Sequence, residues 1–317
     1  MLLFCALLVA AVTIGLAAVG RTERQSAPEA AKLQAAIPAA VKPVHPSNVP
    51  GLHNVYRLGE TLYSGSSPDD DEAFDSLSRL GVKTIVSVDG APPELDAARA
   101  HGMRYVHLPI TYGSVPHETL VGLVRATHEL PGPVYVHCHH GKHRGPAAAV
   151  SLWRCLDKHV TDEQAVATMK RIGTADRYQG LFDSVRGFTR PTDAELTFAK
   201  SDLPESTHVP PLAASMSAID RMWDRVAKPV GDRTTTTLSM QLNTAYDLAE
   251  QFREAARLGD VADGMQPEFQ AIVADLERLA EIIQAELKSP SAPSPHRADA
   301  AARIANRCTA CHTQFRD

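Results

Sequence analysis

Between residues 51 and 190 short β-branched runs alternate with amphipathic stretches, and beyond about residue 211 only helical periodicity remains. The first half opens with two short strand-like runs over 54–64, separated at Gly59. Ser67, followed by Pro68 and the acids Asp69 to Glu72, predicts a helix start with Ser67 as cap, and Gly81 predicts its stop. Lys83 to Val88 and Met103 to Leu108 read as strands, and Pro93 to His101 and His117 to Leu130 as helices. Pro131-Gly-Pro turns the chain into a further strand, Pro133 to His137, and a helix follows from just after Arg144, with Pro146 suited to its first turn. Thr161-Asp-Glu-Gln164 is a capping box that opens another helix. Strands alternating with helices predict an α/β domain over 51–190, a mostly parallel central sheet with flanking helices.

Residues 191–211 carry four prolines among polar side chains and read as a linker. Four apolar stripes follow at three- and four-residue steps: Leu212 to Val226, Leu238 to Ala256, Phe269 to Leu287 and Ala301 to Phe315. Breaks fall at Pro229-Val-Gly, at Gly259 to Gly264 and at Ser289 to Pro295, so residues 212–317 predict an all-α four-helix bundle. At the other end, Leu2 to Val19 is almost unbroken apolar sequence closing on Ala18-Val19-Gly20, so 1–20 reads as a signal peptide or membrane anchor. Residues 21–50 read as a flexible tether. A length of 317 residues suits two domains. The net charge of −5, without a broad basic field, argues against a nucleic-acid partner. Five cysteines are too few and too scattered for a disulfide framework, and Cys155 reads as a packed core thiol.

The chemistry concentrates in Val136-His-Cys-His-His-Gly-Lys-His-Arg-Gly145. It sets Cys138 and Arg144 six positions apart, between a strand and a helix N-terminus. Thiolate, the form that attacks phosphorus, is favoured by a helix N-terminus and by cationic neighbours. Backbone N–H groups of residues 139–144 can ring an anion, Arg144 can fork two phosphate oxygens, and Gly141 permits the tight backbone. His139, His140, Lys142 and His143 make the loop basic enough for a substrate carrying more than one phosphate. Three histidines in five residues are not read as a metal site, because alternating loop positions rarely converge and a metal would compete for Cys138.

His137-Cys138, five residues and Arg144 resemble the signature of protein tyrosine and dual-specificity phosphatases. Gly141-Lys-His-Arg144 looks closest to the plant and fungal atypical members, some of which act on inositol pyrophosphates. The resemblance covers roughly residues 50–190 and includes Val55-Tyr-Arg57, Leu62-Tyr-Ser-Gly65, Leu80 to Val86 and His107-Leu-Pro-Ile110. It implies Cys138 as nucleophile, through a cysteinyl-phosphate, and Arg144 as phosphate clamp. The sequence departs from that pattern twice. Gly145 stands where the family carries a serine or threonine that helps the thiolate leave, and Ile110 to Glu118 holds no aspartate as general acid. Glu118 or His117 could protonate a leaving oxygen, and Glu118 equally suits a first helical turn opposing the macrodipole.

The last helical stripe contains Cys308-Thr-Ala-Cys311-His312, the attachment pattern of one covalent c-type haem. Cys308 and Cys311 would form thioethers and His312 would ligate iron. Zinc would need a second cysteine pair, and a thioredoxin-type dithiol would begin a helix rather than end one. Arg307 to Arg316 resembles the C-terminal helix of the cytochrome c-prime family of four-helix haem proteins, a likeness spanning roughly 208–317. That family sometimes uses a methionine of its first helix as sixth ligand, here Met216 or Met222. The expectation is therefore a periplasmic or otherwise extracytoplasmic enzyme hydrolysing a phosphomonoester or phosphoanhydride of phosphoprotein or inositol phosphate type. A membrane partner is expected only through the N-terminal anchor, and a redox partner or small gas at the haem. The alternative is a c-type cytochrome for electron transfer or gas sensing whose phosphatase-like domain only binds anions.

Overall fold

The computed structural model describes residues 41–199, 203–227, 234–262, 264–289 and 294–315. The expected signal or anchor segment, with Cys5, lies outside the described residues. Among those described, no helix is long and apolar enough to cross a membrane.

Six strands form one mixed sheet: β1 (Val41–Pro43), β2 (Tyr56–Leu58), β3 (Leu62–Gly65), β4 (Thr84–Ser87), β5 (Arg104–His107) and β6 (Val134–His137). Their order is β1-β2-β3-β6-β4-β5. The first three strands are antiparallel, and β3, β6, β4 and β5 run parallel. The β2–β3 hairpin turns at Gly59, whose φ of 78° favours glycine. Helices α1 (Asp71–Arg79), α2 (Leu95–Ala100), α3 (His117–Glu129), α4 (Arg144–Leu156), α5 (Asp162–Ile172) and α6 (Gln179–Arg186) connect or follow the strands. Period-two alternation decides what each strand residue buries. Ile85, Tyr105 and Tyr135 pack with Phe74 and Leu77 of α1 on one face. Their neighbours Val86, Val106, Val134 and Val136 pack with α3, α4, α5 and α6 on the other, where Cys155 joins as the expected packed thiol. Both faces are covered, which explains the near-continuous apolar strands.

Three boundaries differ from expectation. Asp70, not Ser67, caps α1: its carboxylate accepts the Ala73 N–H at 2.8 Å, while the Ser67 N–H is given to the His139 carbonyl at 2.9 Å. The expected tether stops short of residue 41, because Val41–Pro43 pairs with β2. The expected linker is structured in large part. Thr192 and Glu195 form a second capping box that opens α7 (Asp193–Phe198). Residues 203–207 then lie along β5, with the His107 N–H given to the Pro204 carbonyl at 2.8 Å and the Thr207 hydroxyl to the His107 carbonyl at 2.6 Å.

The C-terminal half consists of α8 (Pro211–Ala227), α9 (Thr235–Ala255), α10 (Met265–Lys288) and α11 (Pro295–Phe315). The predicted stripes meet in one core: Ile219 and Val226, Leu238 and Phe252, Phe269 and Ile283, Ile304 and Cys311 are all buried together. Buried Asp275 accepts from Arg307 at 2.6 Å, and Glu286 from Arg297 at 2.8 Å, tying α10 to α11.

Candidate active site and adjoining cavity

Cys138 follows β6 at the carboxyl end of the parallel strands and is 3% exposed. Arg144 opens α4, so the loop between them spans one strand end and one helix start. Four donors outside the loop hold it in place. The Val88 N–H takes the His137 carbonyl, the Ser67 N–H that of His139, the Asn54 side-chain amide that of His140, and the Thr174 hydroxyl that of Lys142. Carbonyl dipoles committed in this way point out of the loop, the arrangement in which its amide N–H groups can face an anion. Gly141 has φ 67°, and a Cβ there would lie 2.2 Å from the Gly65 carbonyl carbon, so the loop rests on the end of β3 only because that residue is glycine. At Gly145 a Cβ would lie 2.9 Å from Cys138 N and 3.4 Å from its Sγ. The hydroxyl-bearing side chain expected there by resemblance would require the loop to shift.

Arg144 is buried and held on two sides. One Nη donates to Asp89 Oδ1 at 2.6 Å, and the guanidinium carbon sits 4.5 Å over the Tyr112 ring. Burial lowers its pKa, but the Asp89 carboxylate, with Tyr112 and Cys138, more than reverses this, so the group stays charged. Burial likewise raises the Asp89 pKa, yet Arg144, His139 and His137 outweigh it and hold the carboxyl below its ordinary value. The Nε of Arg144 and Oδ2 of Asp89 are buried without hydrogen-bond partners. A guanidinium with one Nη fixed and Nε unsatisfied is a clamp with a free edge, and a phosphate oxygen would satisfy it. Sequence reasoning missed Asp89. The available signal was Asp89-Gly90 directly after a predicted strand, at the carboxyl edge where such sheets bind ligands.

The basic side chains of the loop separate. Lys142 is exposed. His143 Nδ1 accepts the Ala175 N–H at 3.4 Å, and its ring packs 4.6 Å from that of Tyr178. His139 is buried, and His140 is half-buried beside it. Neither expected general acid lines the cavity that Arg144 faces. Glu118 is exposed in the first turn of α3, where it opposes the helix dipole, and His117 is spent on Glu195 at 2.9 Å.

His137, at the end of β6, is fully enclosed, with Nε2 2.6 Å from the Tyr105 hydroxyl. Burial lowers its pKa from 6.5 to about 4, against the opposing pull of Asp89 and Asp69. The unfolded chain therefore takes up this proton first as the pH falls. About 3 kcal/mol of stability, present above pH 6.5, should be lost as the pH falls to about 4. His107, also lowered by burial, adds in the same direction. Urea unfolding at pH 7 and pH 4.5 checks this, and His137→Gln should show the smaller difference between the two.

A cavity of about 740 Å³ lies between this loop and the C-terminal helices. On the loop side it is lined by Arg144, His139, Tyr112 and Gly90, and on the helical side by Met216, Trp223, Phe252, Phe269 and Ile272. Cys308, Cys311 and His312 all face it. Its size falls within the range of ligand and cofactor pockets. Apolar walls, two thiols and an imidazole make a donor set that fits a covalently attached haem. Met216 lines the cavity, whereas Met222 packs at the margin of the core. Burial, then Cys311 and Asp220, push the Cys308 thiol up to about 11, and burial raises Cys311 as well. That is the reverse of the depressed pKa of a reactive dithiol pair.

No family model matches the chain. It is distantly homologous to the dual specificity protein phosphatase TpbA of Pseudomonas aeruginosa (strain UCBPP-PA14), at 30% identity over 125 residues, 39% of this chain and 56% of that protein. The chain thus spans about half the length of the curated relative it matches. The crystal structure of P. aeruginosa TpbA superposes with a TM-score of 0.40 at 27% identity, covering 52% of this chain and 98% of that one. A variant of the same protein in complex with pTyr gives 0.39 at 28% identity, with the same coverage.

Proposed function

We propose that the chain is a cysteine-dependent phosphatase joined to a four-helix, cytochrome c-prime-like domain carrying one covalent haem. The observation that carries the first half is the buried Arg144 clamp, fixed by Asp89 with its Nε unsatisfied, on the same short loop as buried Cys138. Homology to a dual-specificity phosphatase supports it. In the first step Cys138 Sγ bonds to phosphorus, and the bond from phosphorus to the leaving oxygen breaks. Water then attacks phosphorus, the S–P bond breaks, and inorganic phosphate leaves with the thiolate restored. Arg144 and the loop amides hold the phosphoryl oxygens through both steps. With no carboxylic acid on 110–117 and Glu118 exposed, leaving groups stable as anions are favoured: an aryl phosphate or the phosphoanhydride of an inositol pyrophosphate. Acid-quenching the full chain with such substrates should trap a phosphoryl group on the peptide containing Cys138. Phosphate release with no label on that peptide would sink the mechanism.

The cavity carries the second half. Cys308 and Cys311 would hold the haem by thioethers, His312 would be its proximal ligand and Met216 its sixth. When bound, haem supplies one-electron chemistry or a site for a small gas. Trp223, Phe252 and Phe269 would offer it apolar walls. Covalent attachment, together with the apolar run Leu2 to Val19, supports a location outside the cytoplasm. After expression with haem-attachment machinery, the pyridine haemochrome should be of the thioether-linked type and survive acid–acetone extraction. Extractable haem would overturn the assignment.

A further inference from the structure

His139 and His140 belong to the Cys138 loop, and Asp220 to α8 of the C-terminal half. We propose that these three side chains form a divalent-cation site of zinc chemistry, bridging the two halves of the molecule at the mouth of the phosphate loop. Their ligand atoms all lie within 4.8 Å of one another. Asp220 Oδ2 is 3.7 Å from His139 Nε2 and 3.4 Å from His140 Nε2. Two ligands each about 2.0–2.1 Å from a tetrahedral zinc are about 3.3 Å apart, close to the spacing of both carboxylate–imidazole edges. Contacts of 3.4 and 3.7 Å are long for charge-assisted hydrogen bonds, which favour about 2.7–2.9 Å.

The second observation is independent of that spacing. His139 is 9% exposed, and both its ring nitrogens are buried without a hydrogen-bond partner. A buried imidazole in that condition calls for a partner, and a cation shared with His140 and Asp220 supplies one. Two imidazoles and a carboxylate are a ligand set that zinc takes readily, and harder cations such as magnesium do not. Three protein ligands leave a fourth position for water or for an oxygen of the bound phosphate compound. His140 and Asp220 are 42% and 48% exposed at their side chains, so an ion has a way in. The loop histidines converge because the third ligand comes from another helix, which periodicity along the chain does not reveal. The proposal requires neither turnover at Cys138 nor haem in the cavity.

The test uses the full chain and Zn²⁺ alone, titrated in competition with a chromophoric chelator, with zinc-edge X-ray absorption on the loaded protein. One Zn²⁺ per chain is expected, with a nitrogen and oxygen shell containing imidazole. Asp220→Ala should weaken the affinity by at least about 10-fold. Asp69→Asn weakens a different ion pair between the halves, to Arg221 at 3.2 Å, and should leave the affinity unchanged. Sulfur in the zinc shell would place the ion on Cys138 or on Cys308 and Cys311 and overturn the proposal. So would equal affinity in wild type and Asp220→Ala, or a loss in Asp69→Asn as large as in Asp220→Ala.

Discussion

Cys138→Ser is expected to lower phosphate release from an aryl phosphate by roughly 10⁴-fold or more, with binding of inorganic phosphate retained. The substitution is close to isosteric at a position only 3% exposed, and the loop is held by Val88, Ser67, Asn54 and Thr174 rather than by the thiol. The scaffold should therefore survive while the nucleophile is lost, since a serine hydroxyl does not ionise near neutral pH. Phosphate binding by calorimetry separates the two. Loss of both turnover and binding would mean that the loop had collapsed, and turnover equal to wild type would mean another nucleophile.

Asp89→Ala should have the largest effect on stability. It leaves Arg144 charged in a buried site, and removing one partner of such a pair costs about 3–5 kcal/mol. Arg144 would also lose the contact that fixes its fork, so a rise in KM should accompany the lower urea midpoint. Asp89→Asn keeps a hydrogen-bond acceptor of the same shape and should recover part of the stability. If alanine and wild type unfold at the same midpoint, Arg144 is not held by this carboxylate.

Much of this was legible in the chain because it depends on local periodicity. The alternation through Ile85 and Val86, or Tyr135 and Val136, specified strands buried on both faces, and the Thr161–Gln164 box specified a helix start. The stripes of the last four helices likewise reappear as one shared core. The loop from Cys138 to Arg144 was readable because its parts are consecutive. Asp89, 55 positions away, was not, since only the parallel pairing of β4 with β6 brings its turn beside the loop. Asp220 is hidden for the same reason: it lies beside the apolar stripe of its helix, and only tertiary packing brings it to the loop. Ser67 satisfies the local rule for a cap, yet Asp70 takes that role and the Ser67 N–H serves the His139 carbonyl, a contact no local rule anticipates.

The segment 203–207 has a consequence for solubility. β5 ends the sheet, and an open strand edge invites pairing with other chains. Here the His107 N–H is already taken by Pro204, Thr207 binds the His107 ring and carbonyl, and Glu205 reaches Arg99. At the opposite edge β1, described over Val41–Pro43, ends in a proline. The stretch that joins the two halves thus doubles as the guard of an aggregation-prone edge. The sheet domain is complete only with residues that its own composition would assign to a spacer.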